Sequence, residues 1–134
     1  MRGRVAVRVL ALVALGIGLY LSIERERGGA VACPVAGHGC ETVQHSAYST
    51  LAGVPVSTLG VVGAALLLAT AFLRSGAAPV ATFGLALAGA VFSLYLTGLE
   101  AFSIHAYCVW CLSSATVWVV AAIVAALGLR AADG

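Results

Sequence analysis

His105-Ala-Tyr-Cys-Val-Trp-Cys-Leu-Ser-Ser-Ala-Thr-Val-Trp118 sets two cysteines, Cys108 and Cys111, at the mouth of a long apolar run. That run extends from Tyr107 to Leu129, and three more precede it: Val5 to Ile23, Val54 to Leu73 and Ala78 to Leu99. Roughly 20 apolar residues, at about 1.5 Å rise each, cross the hydrocarbon of a bilayer as one helix. The alternating pattern of a transmembrane barrel is absent, and Gly60, Gly63, Ala64, Gly84, Ala88 and Gly89 are small enough for close helix contacts in lipid. The expected fold is all-α, an integral membrane four-helix bundle. It is expected to be one domain over residues 1–134, with an outer loop over 24–53 and a short interfacial helix.

Composition agrees with this reading. Of 134 residues, 62% are hydrophobic and 9% charged, with a mean hydropathy of +1.08. A soluble core of this size cannot hide so much apolar surface, whereas lipid removes the need to hide it. The net charge of +2 comes from scattered arginines without basic clusters interleaved with aromatics, so the sequence carries no nucleic-acid footprint. The first run has features of a cleaved signal peptide: Arg2, Arg4 and Arg8 precede it, and Ala30-Val31-Ala32 looks like a cleavage site, with Cys33 behind it as in a lipoprotein. The charged cluster Glu24-Arg25-Glu26-Arg27 separates the apolar core from that site, so the run is read as an uncleaved helix.

Four spans put both termini on one side, and the segments Glu24 to Gly53 and Glu100 to Ala106 on the other. Arg2, Arg4, Arg8, Arg74 and Arg130 fall on the terminal side, leaving Arg25 and Arg27 opposite. The positive-inside rule then predicts cytoplasmic termini in the inner (plasma) membrane. Arg8, slightly inside the first run, is expected to reach back to the interface. All four cysteines then face the outer compartment, which in bacteria is oxidising.

Cys108 and Cys111 form a CxxC at the predicted start of a helix, where unpaired amides and the positive dipole end favour a thiolate. Residues three apart share a helix face, so the two can pair. A structural disulfide, or a zinc site using Cys33, Cys40, His38 and His45, remains an alternative to a redox pair. Cys33-Pro-Val-Ala-Gly-His-Gly-Cys40 reads as a movable loop with a second dithiol. From Cys40 to Leu51, Val43, Ala47 and Leu51 form a narrow apolar stripe, predicting a helix lying flat on the membrane surface.

Two dithiols beside an apolar bundle suggest thiol-disulfide exchange from an aqueous partner to the loop pair, and then to the CxxC. The last acceptor should be apolar. Leu112 follows the CxxC, which excludes the haem-attachment CxxCH, and no iron-sulfur cysteine set or dinucleotide fingerprint is present. A lipid-soluble quinone, menaquinone or ubiquinone, meets the requirement. Water, Glu41, Glu100, His45 and His105 are candidate proton donors, although the ordinary reading of each residue is a solvated loop position. Pro55 and Ser57 have ordinary readings in a first helical turn, Ser57 being also a candidate quinone contact, and Trp110, Tyr107 and Tyr48 have theirs as interfacial anchors.

Three pieces of the sequence resemble the vitamin K epoxide reductase (VKOR) family, in particular its small bacterial, DsbB-like disulfide-forming members. They are Gly39-Cys40-Glu41-Thr42-Val43 with Ser46 and Tyr48-Ser49 behind it, Gly53-Val54-Pro55-Val56-Ser57-Thr58-Leu59-Gly60, and Leu99-Glu100-Ala101-Phe102 running on to Cys108-Val109-Trp110-Cys111. The resemblance implies a bundle around a quinone, with Cys108 and Cys111 as the active pair and Cys33 and Cys40 as the shuttle pair. It places Cys111 facing the quinone, and it matches Ser46 to a loop hydroxyl near the shuttle. The chain departs from the animal enzymes at Val56, where they carry an asparagine, and at Ala115, where they carry a tyrosine. Losing these polar handles favours ordinary quinone reduction over epoxide reduction. The implied electron donor is a separate, exported thioredoxin-like or DsbA-like protein. The rival readings are a quinone epoxide reductase proper, a non-enzymatic docking module stapled by disulfides, and a metal-handling membrane protein.

Overall fold

The computed structural model describes residues 2–27, 50–51, 53–104 and 109–133. Four helices dominate it: α1 (Arg2–Glu26), α2 (Val56–Phe72), α3 (Ala78–Leu99) and α4 (Val109–Asp133). α3 runs on through a π-helical turn, Glu100–Ile104. Between α1 and α2 stands a two-residue ladder of β1 (Thr50–Leu51) and β2 (Val54–Pro55), antiparallel with Thr50 opposite Pro55.

The expected four-helix bundle is present, with corrected ends. Thr50 and Leu51, assigned to an interfacial helix, are strand; the rest of that helix lies outside the described residues. The second helix begins at Val56 instead of Val54. Pro55 is extended (φ −60°, ψ 137°), its ring disfavours helical backbone at Val54, and Gly53 turns the chain with φ +83°. Leu73 is also extended, ending α2 after 17 residues. The segment expected to be a loop after Leu99 begins with the π turn, and residues 24–26, assigned to the outer loop, belong to α1.

α1, α3 with its π extension, and α4 are each long and apolar enough to cross a membrane. α2 spans about 25 Å, close to the lower limit for a crossing helix. The chain is a membrane protein by these lengths and compositions.

Each helix packs against the next, and α4 returns against α1, so the four close into a ring. The interior is built from small side chains: Ala11, Ala14, Ala64, Ala86, Ala90 and Ala121 surround Leu67 and Trp118. Large apolar residues such as Leu12, Leu66, Val91 and Ile123 point outward. Alanines inside and bulky aliphatics outside suit lipid, where close backbone approach rather than water exclusion holds helices together. Gly18 shows the tightness: an added Cβ would come within 3.0 Å of a Val61 methyl on α2. Gly63 and Gly89 make room for Trp118, as expected of contact glycines, whereas a Cβ at Gly60 or Gly84 would meet nothing.

Arg8 does more than reach for the interface. Its Nε and Nη2 donate to the Ala71 carbonyl oxygen at 3.2 and 3.1 Å, and its guanidinium lies 4.1 Å from the Phe72 ring centroid. It therefore satisfies a carbonyl in the last turn of α2, at the negative end of that helix.

Candidate active site

Cys111 is the third residue of α4, so its side chain belongs to the first turn, as the sequence predicts for this half of the CxxC. The same turn is pinned to α1 by Trp110, whose ring stacks on Tyr20 with centroids 4.9 Å apart and planes tilted by 44°. Trp110 is thus half-buried against a neighbouring helix.

Half-buried, Cys111 lines a cavity of about 300 Å³ to which all four helices contribute. Ile17 and Leu21 come from α1, Leu59 from α2, Phe92 and Leu96 from α3, and Trp118 from α4. Small-molecule pockets run from roughly 300 to 1,000 Å³ and are mostly apolar with a few placed polar groups. The polar groups here are few and placed. Ser57, in the first turn of α2, is a lining residue; its Oγ is buried and makes no hydrogen bond among the described residues. Thr97 also lines the space, but its hydroxyl donates to the Ser93 carbonyl at 2.9 Å and is already satisfied.

An apolar ring bearing carbonyl oxygens fits this lining. The walls offer hydrocarbon to the ring, and Ser57 Oγ offers an unused donor to an oxygen. Val56 lines the cavity too. Ala115 is buried on α4, 7% exposed, but is not among the lining residues. Cys33, Cys40, Ser46 and Cys108 lie outside the described residues, as do Glu41, His38, His45 and His105.

The residue whose setting the sequence misread is Glu100. It was placed in a solvated loop, but it is 2% exposed and lines the cavity with Cys111. The π turn that begins with Glu100 prolongs the apolar helix instead of releasing the chain into a loop, and such turns concentrate at functional sites.

A second cavity, about 420 Å³, lies at the opposite end, against Arg4, Thr70, Ala71, Pro79 and Thr82. It is larger, but among the described residues no cysteine lines it. Among the described residues no three His, Cys, Asp or Glu side chains gather as a metal-binding group. The four residues of the zinc alternative that flank the loop lie outside them.

A comparison with curated proteins finds no match to this chain. A family model does match, that of the vitamin K epoxide reductase family, over residues 5–126. That span takes in all of α2 and α3, the cavity with its cysteine, and most of α1 and α4. The chain therefore belongs to the vitamin K epoxide reductase family, whose members are membrane oxidoreductases of quinone-linked chemistry.

Proposed function

We propose that this protein oxidises an exported thioredoxin-like partner and passes the electrons through two cysteine pairs to a quinone, as the DsbB-like members of its family do. The observation that carries the reading is Cys111, set in the first turn of α4 and opening onto an apolar cavity walled by all four helices. A thiol that opens onto such a cavity suits an apolar acceptor that enters from lipid.

The chain's residues act in the following order. A reduced partner's thiolate attacks the Cys33/Cys40 disulfide, and the freed shuttle thiolate attacks Cys108 in the Cys108/Cys111 disulfide. The partner's second thiol and then the other shuttle thiol resolve the two mixed disulfides, so the partner leaves oxidised, Cys33/Cys40 re-forms and Cys108 is left as a thiol. Cys111 is released by the attack on Cys108, and the pair is then a dithiol whose Cys111 sulfur sits in the first turn of α4. A bound quinone supplies the sink for two electrons and two protons. Ser57 Oγ orients it by donating to an oxygen, while Ile17, Leu21, Phe92 and Trp118 exclude water. When Cys108 and Cys111 re-form their bond, the pair is ready for the next transfer.

Val56 supports quinone reduction over epoxide reduction, since it presents hydrocarbon where the animal enzymes carry an amide. The apolar cavity speaks against a merely stapled docking module, which has no use for one. Seven arginines, five of them toward the terminal ends, support cytoplasmic termini and outer cysteines in the plasma membrane.

The test is dithiol-dependent quinone reduction by the purified protein. Cys111→Ala is expected to abolish it, whereas Cys33→Ala and Cys40→Ala should fail with a protein donor yet still turn over with a small dithiol. Retained turnover in Cys111→Ala refutes the scheme, and equal loss with both donors removes the shuttle.

A further inference from the structure

Among the described residues, Glu100 is the only acid or base that the fold buries. It stands where α3 passes into the π turn, within a helix apolar enough to cross the membrane. An ionisable group at such a depth is costly and marks function unless something else explains it. Packing does not explain it, because an aliphatic side chain fills the same space without the cost of desolvating a carboxyl.

Its surroundings narrow the role. α1 and α2 line the cavity with apolar side chains and the Ser57 hydroxyl, while α3 and α4 add Ser93, Thr97 and Ser114. Among the described residues, Glu100 and Cys111 are therefore the two readily titratable side chains on the lining. Moving two electrons from a dithiol into this space also requires moving two protons, and among the described residues that wall it Glu100 is the carboxyl that can carry them.

We infer that Glu100 exchanges a proton with Cys111: its carboxylate takes the thiol proton and returns it to the cavity as the cysteine pair is oxidised. In the first step an S–H bond breaks and an O–H bond forms, leaving Cys111 as thiolate, and no electrons move. In the second, the Cys108/Cys111 disulfide forms and two electrons leave for the acceptor. One proton follows from Glu100 and the other from the Cys108 thiol, which balances a quinone going to a quinol. This assignment rests on the proposed quinone-linked reading and extends it to a named proton carrier.

Infrared difference spectra of the purified, quinone-free protein, reduced minus oxidised, test the exchange without turnover. The expected result is a carboxylic-acid C=O band that appears on reduction, shifts in D2O, is lost in Glu100→Gln and is retained, displaced, in Glu100→Asp. In parallel, Glu100→Gln should lower quinone turnover at least tenfold with little change in KM, and Glu100→Asp should restore part of it. A wild-type spectrum without such a band overturns the inference, as does a band that survives in Glu100→Gln. The wild-type measurement stands even if a variant fails to fold. Quinone turnover without the band sinks Glu100 alone; the band without turnover sinks the quinone reading and leaves the proton exchange standing.

Discussion

Ser57 Oγ is buried beside the cavity and bonds to nothing among the described residues. A hydroxyl that stabilised the fold would have a partner within it, and most buried polar atoms do. Ser57→Ala should therefore leave thermal stability within about 0.5 kcal/mol of wild type. It should raise the KM for quinone about fivefold, the equivalent of one ordinary hydrogen bond of about 1 kcal/mol. Steady-state kinetics beside a melting curve decides it: an unchanged KM with lost stability would assign Ser57 to the scaffold.

At the scale of elements, Trp118 is the joint. Its indole sits on α4, forms part of the cavity wall, and lies against Gly63 of α2 and Gly89 of α3. A Cβ at Gly89 would overlap the ring, so Gly89→Ala must either push the indole into the cavity or part α3 from α4. Overpacking of this kind costs about 1–3 kcal/mol. The expected outcome is a lower midpoint of thermal unfolding together with altered emission from Trp118, read in a background where Trp110 is Phe. Gly84→Ala, where an added Cβ meets nothing, should be silent in both. Equal effects at the two positions would mean that helix propensity rather than contact governs them.

For the whole molecule, the cavity end and the chain termini lie at opposite ends of the bundle, so orientation decides which compartment the cysteines serve. A membrane-impermeant thiol reagent applied to intact, pre-reduced cells should label the cysteines, while a cysteine engineered at Gly134 should react only after permeabilisation. The reverse pattern would place the redox chemistry on the cytoplasmic side and remove the exported partner.

The sequence by itself determined that the chain forms a helical bundle in lipid, because about 20 apolar residues recur four times and each must satisfy its own backbone polar groups where no water is present. It also determined that Cys111 falls in a first helical turn, since the apolar run begins beside it. The start of α2 was half legible: Pro55 announced a boundary, but the turn at Gly53 and the pairing of Thr50 with Pro55 are contacts between segments that a stripe of apolar residues does not reveal. The tertiary structure alone decided the site. A cavity exists only where four helices fail to fill the space between them, and Ser57 and Cys111 become neighbours of that space through packing, not through spacing along the chain. Glu100 makes the same point: at the end of an apolar run, one acidic residue reads as the beginning of water. Only the π turn and the closing of the ring around it turned that carboxyl inward.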